Sequence, residues 1–210
     1  MKTIAHFLAA VMLTWAGAAQ AVMLHYSGNH FTSVNTSGPT TPADSYTTND
    51  SVQGWIELAS MLAPNLSSQT VTPLSFSFSD GVNTLTDSNA TSSSFRFWTN
   101  DSGMPTQWEF FVEASFLPGG NGTQRTISSF NTIPAIGPSR SNDSGQDVLC
   151  GPQSLTDQCT FGGDPFYSQF AEVGGNPGTW EYRTNDVPAP ATFALFGLGL
   201  LGVGYRRRRH

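Results

Sequence analysis

Leu74-Ser75-Phe76-Ser77-Phe78-Ser79-Asp80-Gly81-Val82-Asn83-Thr84-Leu85-Thr86 is the stretch that decides the fold. Its apolar residues recur every second position, which places Leu74, Phe76 and Phe78 on one side of an extended chain and the serines on the other. A helix would scatter these phenylalanines around its circumference, so the pattern predicts a half-buried strand. Asp80-Gly81 follows, a dipeptide that suits a tight two-residue hairpin turn, and Val82–Thr86 is the returning strand.

The same period recurs on both sides of this hairpin. Between Thr106 and Phe116, the residues Trp108, Phe110, Val112, Ala114 and Phe116 share a face opposite Glu109, Phe111 and Glu113. Phe95–Thr99 pairs with it across the turn-rich Asn100–Pro105. Further strands are expected at Met23–Tyr26, Val52–Ala59, Thr126–Phe130 and Thr179–Arg183, while Pro134–Gln158, rich in Pro, Ser, Asn, Asp and Gly, reads as a long loop. No stretch between Val22 and Asp186 sustains a 3.6-residue period. Seven or more short strands with turn signals between them predict an all-β protein, an antiparallel β-sandwich that is jelly-roll-like, with many of the fifteen Phe in its core.

Charge narrows the function. Only 11% of the 210 residues are charged, well below the usual quarter. Lys2 and Arg206–Arg209 lie at the two ends. Between residues 22 and 186 stand Arg96, Arg125, Arg140 and Arg183 against all fifteen acids, a net charge of −11 with no lysine. Such a body excludes nucleic acid as a partner, because phosphate contacts need Lys or Arg.

Met1-Lys2, the apolar run Ile4–Trp15 and the small residues Ala16–Ala21 form the three zones of a secretory signal peptide over residues 1–21. Ala19 and Ala21 occupy the small-residue positions before the cut, so the mature chain is expected to begin at Val22. In an exported chain the only two cysteines, Cys150 and Cys159, are expected to form a disulfide that closes a loop of about ten residues.

The other end reads Val187-Pro188-Ala189-Pro190, then the apolar Ala191–Tyr205, then Arg206-Arg207-Arg208-Arg209-His210. Two prolines in three residues hold an extended stem. Fifteen apolar residues make a transmembrane helix of only ~22 Å, short for a ~30 Å hydrocarbon core. The arginines hold the cytoplasmic side, which leaves the stem and the body outside. An ordinary single-pass anchor has the same ingredients.

This order of stem, short membrane segment and arginine cluster over residues 187–210 resembles the PEP-CTERM sorting domain of Gram-negative bacteria. The family motif is usually written V-P-E-P, and here Ala189 stands in place of Glu. The resemblance implies that an exosortase is a partner, that the tail is held briefly in the inner membrane, and that the body goes to the cell surface or matrix of a bacterium making exopolysaccharide or biofilm. It implies no catalytic activity, and extracellular polysaccharide becomes an expected partner of the secreted domain over residues 22–186.

Catalytic chemistry has little to stand on. Glu109 and Glu113 share a strand face, but four residues at ~3.3 Å put them ~13 Å apart, too far for either glycosidase arrangement. A pair from two strands, such as Glu57 with Glu109, stays open. His25 and His30 are the histidines of the body, and neither a Gly-x-Ser-x-Gly elbow nor a phosphate-binding glycine loop is present. No catalytic residue, cofactor or metal is expected. Thr/Ser-Asn-Asp at Thr48, Thr99, Ser141 and Thr184 could ligate calcium, yet the same residues end strands as Asx-turns. Asn35, Asn49, Asn65, Asn89, Asn100, Asn121 and Asn142 begin Asn-x-Ser/Thr sequons, and the polar stretch Thr84–Ser94 is suited to carry sugars. Trp98, Trp180 and Tyr182 are the aromatic candidates for stacking on a sugar ring, with core packing as the commoner use. A carbohydrate-binding module and a secreted hydrolase are therefore the rivals to a non-enzymatic surface protein.

Overall fold

The computed structural model describes residues 21–37, 44–116, 123–132, 140–150, 165–175 and 177–183. The strands are β1 (Val22–His30), β2 (Ser33–Ser37), β3 (Ser51–Leu58), β4 (Gln69–Thr70), β5 (Ser75–Ser79), β6 (Thr84–Thr86), β7 (Ser92–Thr99), β8 (Pro105–Phe116), β9 (Thr123–Thr132), β10 (Arg140–Cys150), β11 (Pro165–Gly174) and β12 (Thr179–Arg183). They form two antiparallel sheets, a smaller one in the order β12-β1-β3-β5-β6 and a larger one in the order β2-β11-β10-β9-β8-β7-β4. No helix occurs among the described residues.

Period-two alternation fixes which side of each strand is buried. Phe76 and Phe78 on β5 point inward from the smaller sheet, and Phe95, Phe97, Trp108, Phe110 and Val112 point inward from the larger one. Phe78 is the hinge of this contact, with ring centroids 4.4 Å from Phe110 and 5.8 Å from Phe95. Trp180 of β12 meets Phe78, Phe97 and Phe110 edge to face, so the last strand is locked into the same aromatic cluster.

The strand order joins the two ends of the chain. The first strands pair with the last, β1 with β12 and β2 with β11, so the chain ends wrap around its middle. The centre of the larger sheet departs from that plan, because β7 to β11 follow one another as an up-and-down meander.

Three local expectations are corrected. Leu74 is not in the strand: its side chain is 61% exposed and only its N–H is tied down, to the Glu57 carbonyl at 2.8 Å. The hairpin turn has four residues, since Ser79 pairs with Thr84. Asp80 sets that length by accepting the N–H groups of Val82 at 3.0 Å and Asn83 at 2.6 Å on one carboxylate oxygen, while Gly81 adopts a φ of +95°. Finally, the expected loop Pro134–Gln158 contains an eleven-residue strand, β10, paired along most of its length on both edges. Its inward positions are Asp143, Gly145 and Asp147, so it carries no apolar alternation to betray it.

Those inward acids mark a second, polar half of the interior. The Tyr26 hydroxyl, from the smaller sheet, donates to Asp143 Oδ1 at 2.5 Å, lies 2.8 Å from Ser129 Oγ and accepts the Gly178 N–H at 2.8 Å. Tyr46 makes a parallel link by donating to Asp80 Oδ2 at 2.6 Å. Burial is the main force on all four groups: it pushes both phenols up, pushes Asp80 up, and raises Asp143 to about 6 despite the hydrogen bonds that favour its charged form. Asp143 Oδ2 has no hydrogen-bond partner, which adds to the cost of charging it.

Two outcomes follow from this interior. Phe78→Ala should destabilise the protein by about 3–5 kcal/mol in a urea titration, since the ring is fully buried between the sheets. Asp143 has a folded pKa near 6 against an ordinary value of 3.8, so the folded state holds its proton more tightly and stability from this group falls as pH rises through that window. Asp143→Asn should remove a pH dependence of about 3 kcal/mol between roughly pH 4 and 7, read as the difference between wild-type and variant denaturation midpoints at each pH.

Candidate functional site

The outer face of the smaller sheet is the one surface whose side chains are described from edge to edge. Strand register arranges it in rungs. Glu181, His25, Trp55, Ser77 and Thr86 lie opposite one another across the five strands. On one side runs the rung Thr179, Ser27, Gln53, Ser79 and Thr84, and on the other Arg183, Met23, Glu57 and Ser75. Each is outward because its strand neighbours Leu24, Tyr26, Ile56, Phe76, Phe78 and Trp180 are buried. Trp55 and Met23 are the apolar members of this array. The rest are hydroxyls, one amide, one imidazole and three charged groups.

A shallow open groove of about 280 Å³ runs over this face, lined by His25, Ser27, Gln53, Trp55, Ser77, Ser79 and Arg183 together with the backbone of Tyr26 and Gly54. Its polar groups are held in place. Gln53 donates its amide N–H groups to the Gly28 carbonyl at 3.0 Å and to Ser51 Oγ at 2.9 Å, leaving its oxygen to accept. Arg183 is forked onto the neighbouring Glu181 at 2.5 and 2.6 Å. Ser75 donates to Glu57 at 2.5 Å. His25 is pushed down by burial first and by Arg183 second, with Glu181 opposing, which favours its neutral imidazole. Gly54 faces inward, where any Cβ would strike the Phe78 ring and the Ser77 carbonyl.

The carboxylates proposed for hydrolysis are not brought together. Glu57 lies on the outer face of the smaller sheet, whereas Glu109 lies on the outer face of the larger one and pairs with Arg96 at 3.3 Å. The two are on opposite sides of the molecule. Among the described residues no three His, Cys, Asp or Glu side chains are grouped to hold a metal ion.

The expected sugar-stacking aromatics resolve differently. Trp180 is 6% exposed and part of the core. Tyr182 braces loops, accepting the Leu62 N–H at 2.9 Å and donating to the Gly103 carbonyl at 3.2 Å. Trp98 is half-buried on the larger sheet. The outward tryptophan of the groove is Trp55, which the sequence reading passed over, although the alternation of buried Val52, Ile56 and Leu58 assigns it to the polar side.

Asn100 serves its sequence as a turn former, accepting the Ser102 and Met104 N–H groups at 2.9 and 3.0 Å. Ser141-Asn142-Asp143 does not end a strand but sits inside β10. The sequon at Asn89 is likewise occupied structurally, its side chain bonded to Thr86 N–H and the Thr84 carbonyl.

Ala21 directly precedes β1, and Met23 faces Arg183 at the end of β12. The chain therefore enters and leaves this sheet at the same corner. Ala19, Cys159, the motif Val187–Pro190, the expected tail helix and Arg206–Arg209 lie outside the described residues, as does the side chain of Cys150. Among the described residues no helix is long and apolar enough to cross a membrane.

Comparison with protein families finds the PEP-CTERM protein-sorting motif at residues 186–209. No curated protein and no solved structure matches the chain. The tail is thus a PEP-CTERM sorting motif, which implies an exported protein, recognition by an exosortase and transient anchoring in the membrane.

Electrostatics in the groove can be checked directly. In Arg183→Ala the His25 imidazole should titrate at higher pH than in the wild type, because the cation that opposes its protonation is gone and Glu181 is left unpaired. The imidazole C–H resonances followed by NMR against pH report this shift.

Proposed function

We propose that this chain is a non-enzymatic surface or extracellular-matrix protein, handled by an exosortase at Val187–Pro190 and left outside the cell in an exopolysaccharide-rich layer. The observation that carries the reading is the sorting motif at residues 186–209. The all-β body is compatible with it: Glu57 and Glu109 stand on different sheets, and the body between residues 22 and 186 has few charges and no lysine. Its geometry is suited to removal of both ends, since Ala21 and Arg183 sit at one corner of one sheet, with only Thr184–Asp186 between β12 and Val187.

The cut itself separates this reading from a plain single-pass anchor. The test is the intact mass of the protein from its native host beside a variant with Val187–Pro190 scrambled. The wild type should lack Arg206–Arg209 and leave the inner membrane, and the scrambled variant should keep its full tail. Retention of the arginines by both forms in the inner membrane would make the tail an anchor and remove the surface-matrix reading.

A further inference from the structure

Trp55 sits at the centre of a polar lattice with a regular mesh. Strand spacing puts its outward side chains about 4.8 Å apart across the sheet and about 7 Å apart along it. Beside the indole lie Ser77 and His25 on the same rung and Gln53 on the same strand, with Ser27 and Ser79 on the rung of Gln53. Hydroxyls both donate and accept, the Gln53 oxygen is fixed as an acceptor, and the neutral imidazole offers one of each.

The composition of this face selects the chemistry of its ligand. A protein interface needs an apolar core, and Trp55 with Met23 does not make one. A polyanion is repelled by a body of net charge −11, and the one guanidinium here is already forked onto Glu181. A neutral, hydroxyl-rich chain meets neither obstacle. Its apolar C–H faces can lie on an indole while its hydroxyls exchange hydrogen bonds with the surrounding side chains. The groove is open and shallow, a shape that admits a polymer passing through it without requiring a chain end.

We propose that the outer face of the smaller sheet is a binding site for a neutral polysaccharide of the surrounding matrix, with Trp55 as the stacking platform and Gln53, Ser77, Ser79 and Ser27 as hydrogen-bonding partners. This rests on the surface-matrix reading of the sorting tail. Gly54 and the serine column Ser75-Ser77-Ser79 serve the same end, since Gly54 lets Phe78 pack beneath the face while the small serines keep it open around Trp55.

The test is affinity gel electrophoresis of the host-processed protein in gels containing hydroxyethyl cellulose, dextran or the anionic polymer alginate. Wild-type protein should be retarded by at least one neutral polymer and not by alginate. Trp55→Ala should weaken that retardation by about tenfold, while Trp98→Ala, on the other sheet, should leave it unchanged. Should Trp55→Ala melt early, the double variant Gln53→Ala/Ser77→Ala keeps the indole and should still lower retardation at least about threefold. Retardation by alginate alone, equal retardation of wild type and both Trp55 and Gln53/Ser77 variants, or no retardation in any gel would overturn the proposal. A protein that loses its tail in the host yet runs freely in all gels removes this site and leaves the sorting reading intact, whereas a retained tail removes the sorting reading first.

Discussion

The hydroxyl of Tyr26 is the point on which the two sheets depend. It belongs to β1 of the smaller sheet, gives its proton to Asp143 on β10 of the larger one, touches Ser129 on β9 and receives the N–H of Gly178 just before β12. Its ring packs on Trp108, Phe110 and Trp180, with centroids 5.9, 5.3 and 4.9 Å away. One side chain therefore joins the aromatic half of the interior to its polar half and fixes the last strand against the first. The backbone adapts to this link: a Cβ on Gly28 would strike Asp143 and the Val52 carbonyl, and one on Gly178 would strike the Ser27 carbonyl. Removing the carboxylate's charge is tolerable on this view, whereas removing the tyrosine would open both halves at once.

A buried acid at this junction exchanges stability for uniqueness of register. Apolar rungs alone would allow β10 to slide by two residues and still bury something, because slips by two preserve the inward set. Asp143 opposite Ser129 and Val173, Gly145 opposite Ile127 and Ala171, and Asp147 opposite Arg125 and Gln169 admit one alignment only. Gly145 in particular leaves room for Asp80, whose carboxylate would collide with any Cβ there. The polar interior thereby orients the meander, while Phe78 and its neighbours supply most of the burial.

The fold class was legible where burial is written in alternation. β5, β8 and β12 carry it in Phe76/Phe78, Trp108/Phe110/Val112 and Trp180/Tyr182, and their limits differ little from the expected ones. β10 was not legible, because its inward residues are two acids and a glycine whose partners, Tyr26 for Asp143 and Arg125 for Asp147, come from other strands and leave no mark on hydropathy. The turn after β5 was misjudged for a related reason: Asp80 acts through its side chain, not through the backbone preference of Asp-Gly. The sorting motif at residues 186–209 could be read as a resemblance, since proline and arginine act through composition and order. The candidate site could be read only in outline. Which tryptophan lies outward depends on strand register: Trp180, one of the three expected aromatics, is buried, while Trp55, given no role in sequence, lines the groove.

β12 belongs both to the core and to the outer face of the smaller sheet. Its inward residues Trp180 and Tyr182 hold the core and the loops, and its outward residues Glu181 and Arg183 form the margin of the polar lattice. Beyond Arg183 only Thr184–Asp186 precede Val187, a reach of at most about 11 Å when extended. On the proposed function, the attached tail holds this margin of the lattice on the membrane side, and its removal would leave the outer face clear. As an edge strand, β12 pairs with β1 on one side and with no other strand among the described residues, so it can pack the core and lead into the tail at once.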